Sequence, residues 1–128
     1  MKLLFDTRVL LWAAADLARL SPAARSRLED PETVAIFSVI SLWEVVIKAQ
    51  LARDDFAVHS YRFRATLLDR GCIELPVTAE HGLALRDLPT LHRDPLDRLL
   101  LAQARHEGAI LVTADTTLAR YPVPVRLV

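Results

Sequence analysis

The feature that most constrains this chain is the alternation of short apolar runs with helix-opening signals. Lys2–Phe5, Val34–Phe37, Ile73–Leu75, Ala109–Val112 and Val125–Val128 read as strands of three or four residues. Between them lie helical stretches: Thr7–Ala15, a helix opened by Ser21-Pro22 and running to Glu29, one from Ser41 to about Ala52, one over Val58–Arg70, and one from Thr78 to about Leu88. The longest helix runs from Pro95 to Glu107, with Asp94 before it, proline at its first position and Gly108 closing it. Strands this short and apolar, separated by helices, point to a mostly parallel sheet of about five strands covered on both faces, an α/β class. No repeat or linker interrupts the pattern, so residues 1–128 are expected to form one domain.

Composition narrows the function classes. Hydrophobic residues make up 52% of the chain and charged residues 25%, a balance that supports a packed core. Sixteen acids offset sixteen lysines and arginines, so overall charge does not draw the chain to nucleic acid, and RNA binding would need a local arrangement. The single cysteine, Cys72, excludes an internal disulfide and a cysteine metal site, and reads as a small buried residue at a strand start. No apolar run approaches the roughly 20 residues of a membrane span. Met1–Phe5 meets Asp6 too soon for a signal peptide. A soluble, cytoplasmic protein without membrane contact is the expectation.

In an open α/β sheet, ligands collect outside the carboxyl ends of the strands. Asp6 directly follows the first strand and Asp115 lies just after the fourth. Glu44 and Asp97 stand in the first turns of helices that start near that edge. Convergence would place four carboxylates together. At ~4 Å and an effective dielectric near 20, each like-charge pair costs about 4 kcal/mol. Such a cluster takes up protons or binds cations, and oxygen ligands suit Mg²⁺ or Mn²⁺. Asp6 and Asp97 are the expected direct ligands, with Glu44 and Asp115 acting through water or orienting an attacking water.

Each of these residues also has a structural reading. Glu44 could complete a capping box with Ser41 as N-cap. Asp94 reads foremost as an N-cap, Asp97 as a favourable partner of the helix dipole, and Asp115 as the N-cap of a short turn. Asp6, after a buried strand, is the hardest to explain by structure alone. The four histidines show no zinc spacing. His59 and His81 are expected at the surface and His92 in a solvated loop. Trp12 and Trp43 read as core or dimer-contact residues, and Arg93 and Arg98 as candidate phosphate contacts beside the site.

The motifs carry a resemblance. Leu4-Phe5-Asp6-Thr7-Arg8, Ser38-Val39-Ile40-Ser41-Leu42-Trp43-Glu44 with Lys48, His92-Arg93-Asp94-Pro95-Leu96-Asp97-Arg98, and Leu111-Val112-Thr113-Ala114-Asp115 follow one another in the expected order. In them the chain resembles PIN-domain proteins of the VapC type, the ribonuclease toxins of bacterial toxin–antitoxin pairs. The resemblance implies a PIN-like three-layer α/β/α fold and a Mg²⁺- or Mn²⁺-dependent endoribonuclease, usually dimeric and silenced by a cognate antitoxin. It matches Asp6, Glu44, Asp97 and Asp115 to the acidic site. Thr7, Thr113, Asp94 and Arg98 would support it or touch substrate. Two departures stand out: Arg8 where related chains often carry histidine, and no glycine after Lys48. Two other readings compete with the nuclease: phosphoryl transfer through an aspartyl-phosphate, and a non-catalytic interaction module whose acids only cap helices.

Overall fold

The computed structural model describes residues 1–51 and 58–128. The expected helix end near Ala52 and the Asp54-Asp55 break lie outside the described residues. Five strands form one sheet: β1 (Lys2–Phe5), β2 (Val34–Ser38), β3 (Ile73–Leu75), β4 (Ile110–Thr113) and β5 (Val125–Leu127). Their spatial order is β3-β2-β1-β4-β5, and every pairing is parallel. Among the described residues, six α-helices accompany them: α1 (Thr7–Ala15), α2 (Pro22–Glu29), α3 (Val39–Gln50), α4 (Ser60–Asp69), α5 (Ala79–Ala84) and α6 (Pro95–Glu107). Single 3₁₀ turns follow α1 and α5 and precede β5.

Alternation along β1 divides the core into two layers. Leu3 and Phe5 point to one face, where they pack with Val9, Leu10 and Ala13 of α1 and Phe63 and Leu67 of α4. Leu4 points to the other, against Leu100, Leu101 and Ala104 of α6. A strand covered on both sides in this way is apolar toward both, as Leu3, Leu4 and Phe5 are. The expected three-layer α/β/α architecture is the one observed.

Local chemistry sets the element ends. Ser21 accepts the Ala24 N–H, with Pro22 opening α2. Gly108 takes the left-handed conformation (φ +66°) that ends α6 and turns the chain into β4. The expected start of α3 needs correction. Ser38, not Ser41, is its N-cap: β2 runs into the helix without a loop, and Ser38 Oγ accepts the Ile40 N–H at 3.0 Å. Glu44 therefore lies inside α3 and is no capping-box partner. Among the described residues, no helix is long and apolar enough to cross a membrane.

Candidate metal centre

The strand order reverses at β1. The chain builds β2 and β3 on one side of it, then returns to add β4 and β5 on the other. Crevices open at such a switch point, beyond the strand carboxyl ends. Here Asp6 leaves β1, and Thr113 and Asp115 leave β4. The Asp6 N–H donates to Val112 O at 3.0 Å, which stitches the two strand ends together.

A cleft of about 140 Å³ occupies this point, lined by Asp6, Thr7, Arg8, Glu44, Lys48, Asp94, Asp97, Asp115 and Leu118. All four sequence-predicted acids are thus brought together, and Asp94 joins them. A larger apolar groove of about 300 Å³ lies apart, between α1, α2 and α4, and contains none of them.

Asp6 is buried and held at both oxygens. Its Oδ1 accepts the Val9 N–H at 3.0 Å, capping α1, and its Oδ2 accepts the Thr113 hydroxyl. Burial pushes its carboxyl above the usual aspartate range, against the pull of Thr113, Val9 and the Arg8 charge. Glu44 Oε1 accepts the Thr7 hydroxyl at 2.9 Å, and Thr7 lies 2.9 Å from the fully buried Ser41 hydroxyl. Burial, reinforced by Asp97 and Asp94 and opposed by Thr7, raises Glu44 to about 7. Asp97 is raised to about 6, by burial first and then by the Asp94, Asp6 and Asp115 charges.

Asp115 behaves oppositely. Burial is the largest single influence and would raise it, but the Thr117 N–H and His92 together hold it below the usual range. Its Oδ1 accepts the Thr117 N–H at 2.9 Å, a local turn and not the expected helix cap, since the following 3₁₀ turn begins at Leu118.

Three expectations about neighbouring residues are corrected. His92 is no solvated loop histidine: Nε2 lies 3.1 Å from Asp97 Oδ2 and 3.2 Å from Asp115 Oδ2. Its backbone is drawn in by Tyr121, whose hydroxyl accepts the His92 N–H at 2.7 Å. Arg98 does not reach the site. One residue beyond Asp97, it points about 100° further round α6, where Nη2 donates to Leu88 O at 3.3 Å and Leu85 O at 3.4 Å. His81 is buried: the Thr78 N–H donates to its Nδ1 at 3.0 Å, and Nε2 meets Glu107 at 3.0 Å. His81, His106 and Glu107 come within 4.8 Å of one another. The proton that Nε2 gives to Glu107 marks this group as a helix cap and not a ligand set.

Thr7, Thr113 and Asp94 fall where supporting groups were expected, on Glu44, on Asp6 and at the helix N-cap respectively. Sequence reasoning passed over Gln103. Fully buried, it accepts the Ser38 hydroxyl at 2.5 Å and donates to Pro76 O at 3.2 Å, so it pins α6 to the start of α3 and the end of β3. A polar residue amid the apolar face of α6 was the available signal.

The donor set fits a hard cation. The converging groups are carboxylate oxygens, three of them (Asp6, Glu44 and Asp97) held above their ordinary pKa values by burial and like charge, and a divalent ion would relieve that repulsion. Asp6, Asp97, Asp115 and Glu44 are the residues placed to hold one.

The PIN domain family model matches residues 3–124. Ribonuclease VapC22 of Mycobacterium tuberculosis (strain ATCC 25618 / H37Rv) is 32% identical over 126 residues, covering 95% of each chain. A similar fold occurs in the crystal structure of VapBC2 from Rickettsia felis bound to a DNA fragment from their promoter (TM-score 0.76, 18% identity, 100% of this chain and 99% of that one). It also occurs in a toxin–antitoxin complex from Klebsiella pneumoniae (TM-score 0.61, 22% identity, 96% and 94%).

Proposed function

The chain belongs to the PIN-domain family, and from that premise we propose that it is a divalent-metal-dependent endoribonuclease, the toxin of a toxin–antitoxin pair. The observation that carries the proposal is the meeting of Asp6, Glu44, Asp97 and Asp115, from four separate stretches of chain, in one cleft. Residues 1–128 act as a single PIN domain.

Asp6 and Asp97 would hold the cation directly, and Glu44 and Asp115 would bind it through water or orient the attacking water. Mg²⁺ or Mn²⁺ would supply Lewis acidity toward the phosphodiester. Thr7 fixes one oxygen of Glu44, which leaves Oε2 to accept a proton from the attacking water. A carboxyl near pH 7 suits that task. Arg8 and Lys48, at the cleft wall, meet the RNA phosphates. Local cations thus replace the overall positive charge the chain lacks.

The partner is an antitoxin that covers the toxin in the cytoplasm. The exposed apolar side chains of α3 (Trp43, Val46 and Ile47) support a homodimer.

Asp6→Asn tests the catalytic reading. Asparagine keeps an oxygen for the Val9 N–H, so α1 stays capped, while the charge on the cation is lost. Cleavage of single-stranded RNA with Mn²⁺ should fall by more than the roughly 10–100-fold that loss of a supporting group costs. Undiminished cleavage by the folded variant would refute the assignment.

A further inference from the structure

We propose that His92 competes with the cation: its Nε2–H bridges Asp97 and Asp115, and the ring must turn away for these carboxylates to hold a divalent ion. The inference rests on the metal-dependent reading above and adds to it a residue that competes with the metal.

The geometry fixes the ring's chemistry. The Asp94 N–H donates to His92 Nδ1 at 3.1 Å, so the ring's lone pair is committed there and the hydrogen sits on Nε2. That hydrogen faces Asp97 Oδ2 at 3.1 Å and Asp115 Oδ2 at 3.2 Å, and the three atoms lie within 4.8 Å of one another. With Asp97 a direct ligand in the reading above, the Nε2–H takes up an oxygen that the cation needs.

The two occupants exclude each other. Mg²⁺ binds oxygens at ~2.1 Å, so an ion held by Asp97 Oδ2, with its water toward Asp115, would press against the positive end of the Nε2–H. Nor can the ring serve as a ligand in this setting. Coordination through Nε2 would move the hydrogen to Nδ1, where it would face the Asp94 N–H, donor against donor.

The surroundings allow the ring to leave without unfolding the loop. The buried Tyr121 hydroxyl accepts the Leu91 N–H at 3.0 Å and the His92 N–H at 2.7 Å, so the backbone is anchored. The ring is 22% exposed and can rotate toward solvent about its side-chain torsions. Its shared Nε2–H offsets part of the repulsion between the two carboxylates.

The test is Mn²⁺ calorimetry on wild type and His92→Ala, with the melting temperature of each metal-free protein. Loss of the competitor should tighten Mn²⁺ binding about tenfold, or about 1.4 kcal/mol, and lower the metal-free melting temperature. A ligand or a mere positioning residue would have the opposite effect on affinity. Equal or weaker Mn²⁺ binding by His92→Ala therefore overturns the proposal. Nitrogen NMR of wild type under Mg²⁺ titration supplies the second arm: the His92 Nε2 signal should leave its hydrogen-bonded position as the ion binds. A wild type that binds Mg²⁺ with His92 unmoved overturns this inference alone. A wild type that binds neither ion overturns it together with the metal-dependent function.

Discussion

The Thr7 hydroxyl donates to Glu44 Oε1 at 2.9 Å, tying the first residue of α1 to the middle of α3. The hydroxyl has one hydrogen, so the Ser41 Oγ at 2.9 Å must donate to it in turn. A buried relay of two hydroxyls thus aims one carboxylate at the cleft, and the bond to Thr7 favours that carboxylate's ionised form.

Thr7→Val keeps the shape and removes the bond. Glu44 should then titrate above its present value of about 7. RNA cleavage at pH 7 should drop and recover toward pH 8.5, and folding stability should fall by about 1–2 kcal/mol. The pH–rate profile checks this. An acid limb that stays in place would show that Thr7 does not tune Glu44.

Metal-free stability should fall as pH rises. Asp97 moves from 3.8 to about 6 on folding and Glu44 from 4.5 to about 7. Their folded forms bind protons more tightly than the unfolded chain. Their contribution is therefore fully present below about pH 4 and is lost by about pH 7. Asp115, shifted downward, acts only below this window. The melting temperature without metal should be higher at pH 5 than at pH 8, and saturating Mn²⁺ should shrink or reverse the difference. The same protons compete with the ion, so Mn²⁺ affinity should weaken toward pH 5.

The acids were legible in the sequence because β1 and β4 end as apolar runs cut off by polar residues, which marks the ligand edge of a parallel sheet. Asp6 and Asp115 needed no more than that. Asp97 and Arg98 illustrate a signal available but not applied: adjacent helical residues diverge by about 100°, so only one of them could face the cleft. The start of α3 was misplaced because Ser38 and Ser41 are equally good caps, and the choice depends on β2 ending without a loop. His92 and His81 were beyond local reading. His92 is placed by Tyr121, 29 residues on, and His81 is buried by Gln103 and Glu107 of a later helix.

Gln103→Leu should cost about 2–4 kcal/mol of folding stability, measured by urea denaturation. The change leaves the Ser38 hydroxyl and Pro76 carbonyl without their partner in a dry interior. Because Gln103 pins α6 against α3, Mn²⁺ affinity should fall as well. Unchanged affinity would show that the network serves stability alone.

Gly108→Ala offers a contrast. Gly108 holds φ +66°, and an added Cβ would meet no atom within 4 Å, so the cost is backbone strain alone, about 1 kcal/mol. It lies at the end of α6 away from the cleft, and both Mn²⁺ affinity and RNA cleavage should match wild type. Activity lost here would mean that the two ends of α6 are coupled.

The most direct measurement of the central claim is anomalous diffraction from crystals soaked in Mn²⁺. A manganese peak is expected in the cleft, within about 2.3 Å of carboxylate oxygens of Asp6 and Asp97, with Asp115 and Glu44 beside it and the His92 ring turned away. A saturating soak that leaves these four carboxylates together with no manganese between them would contradict it.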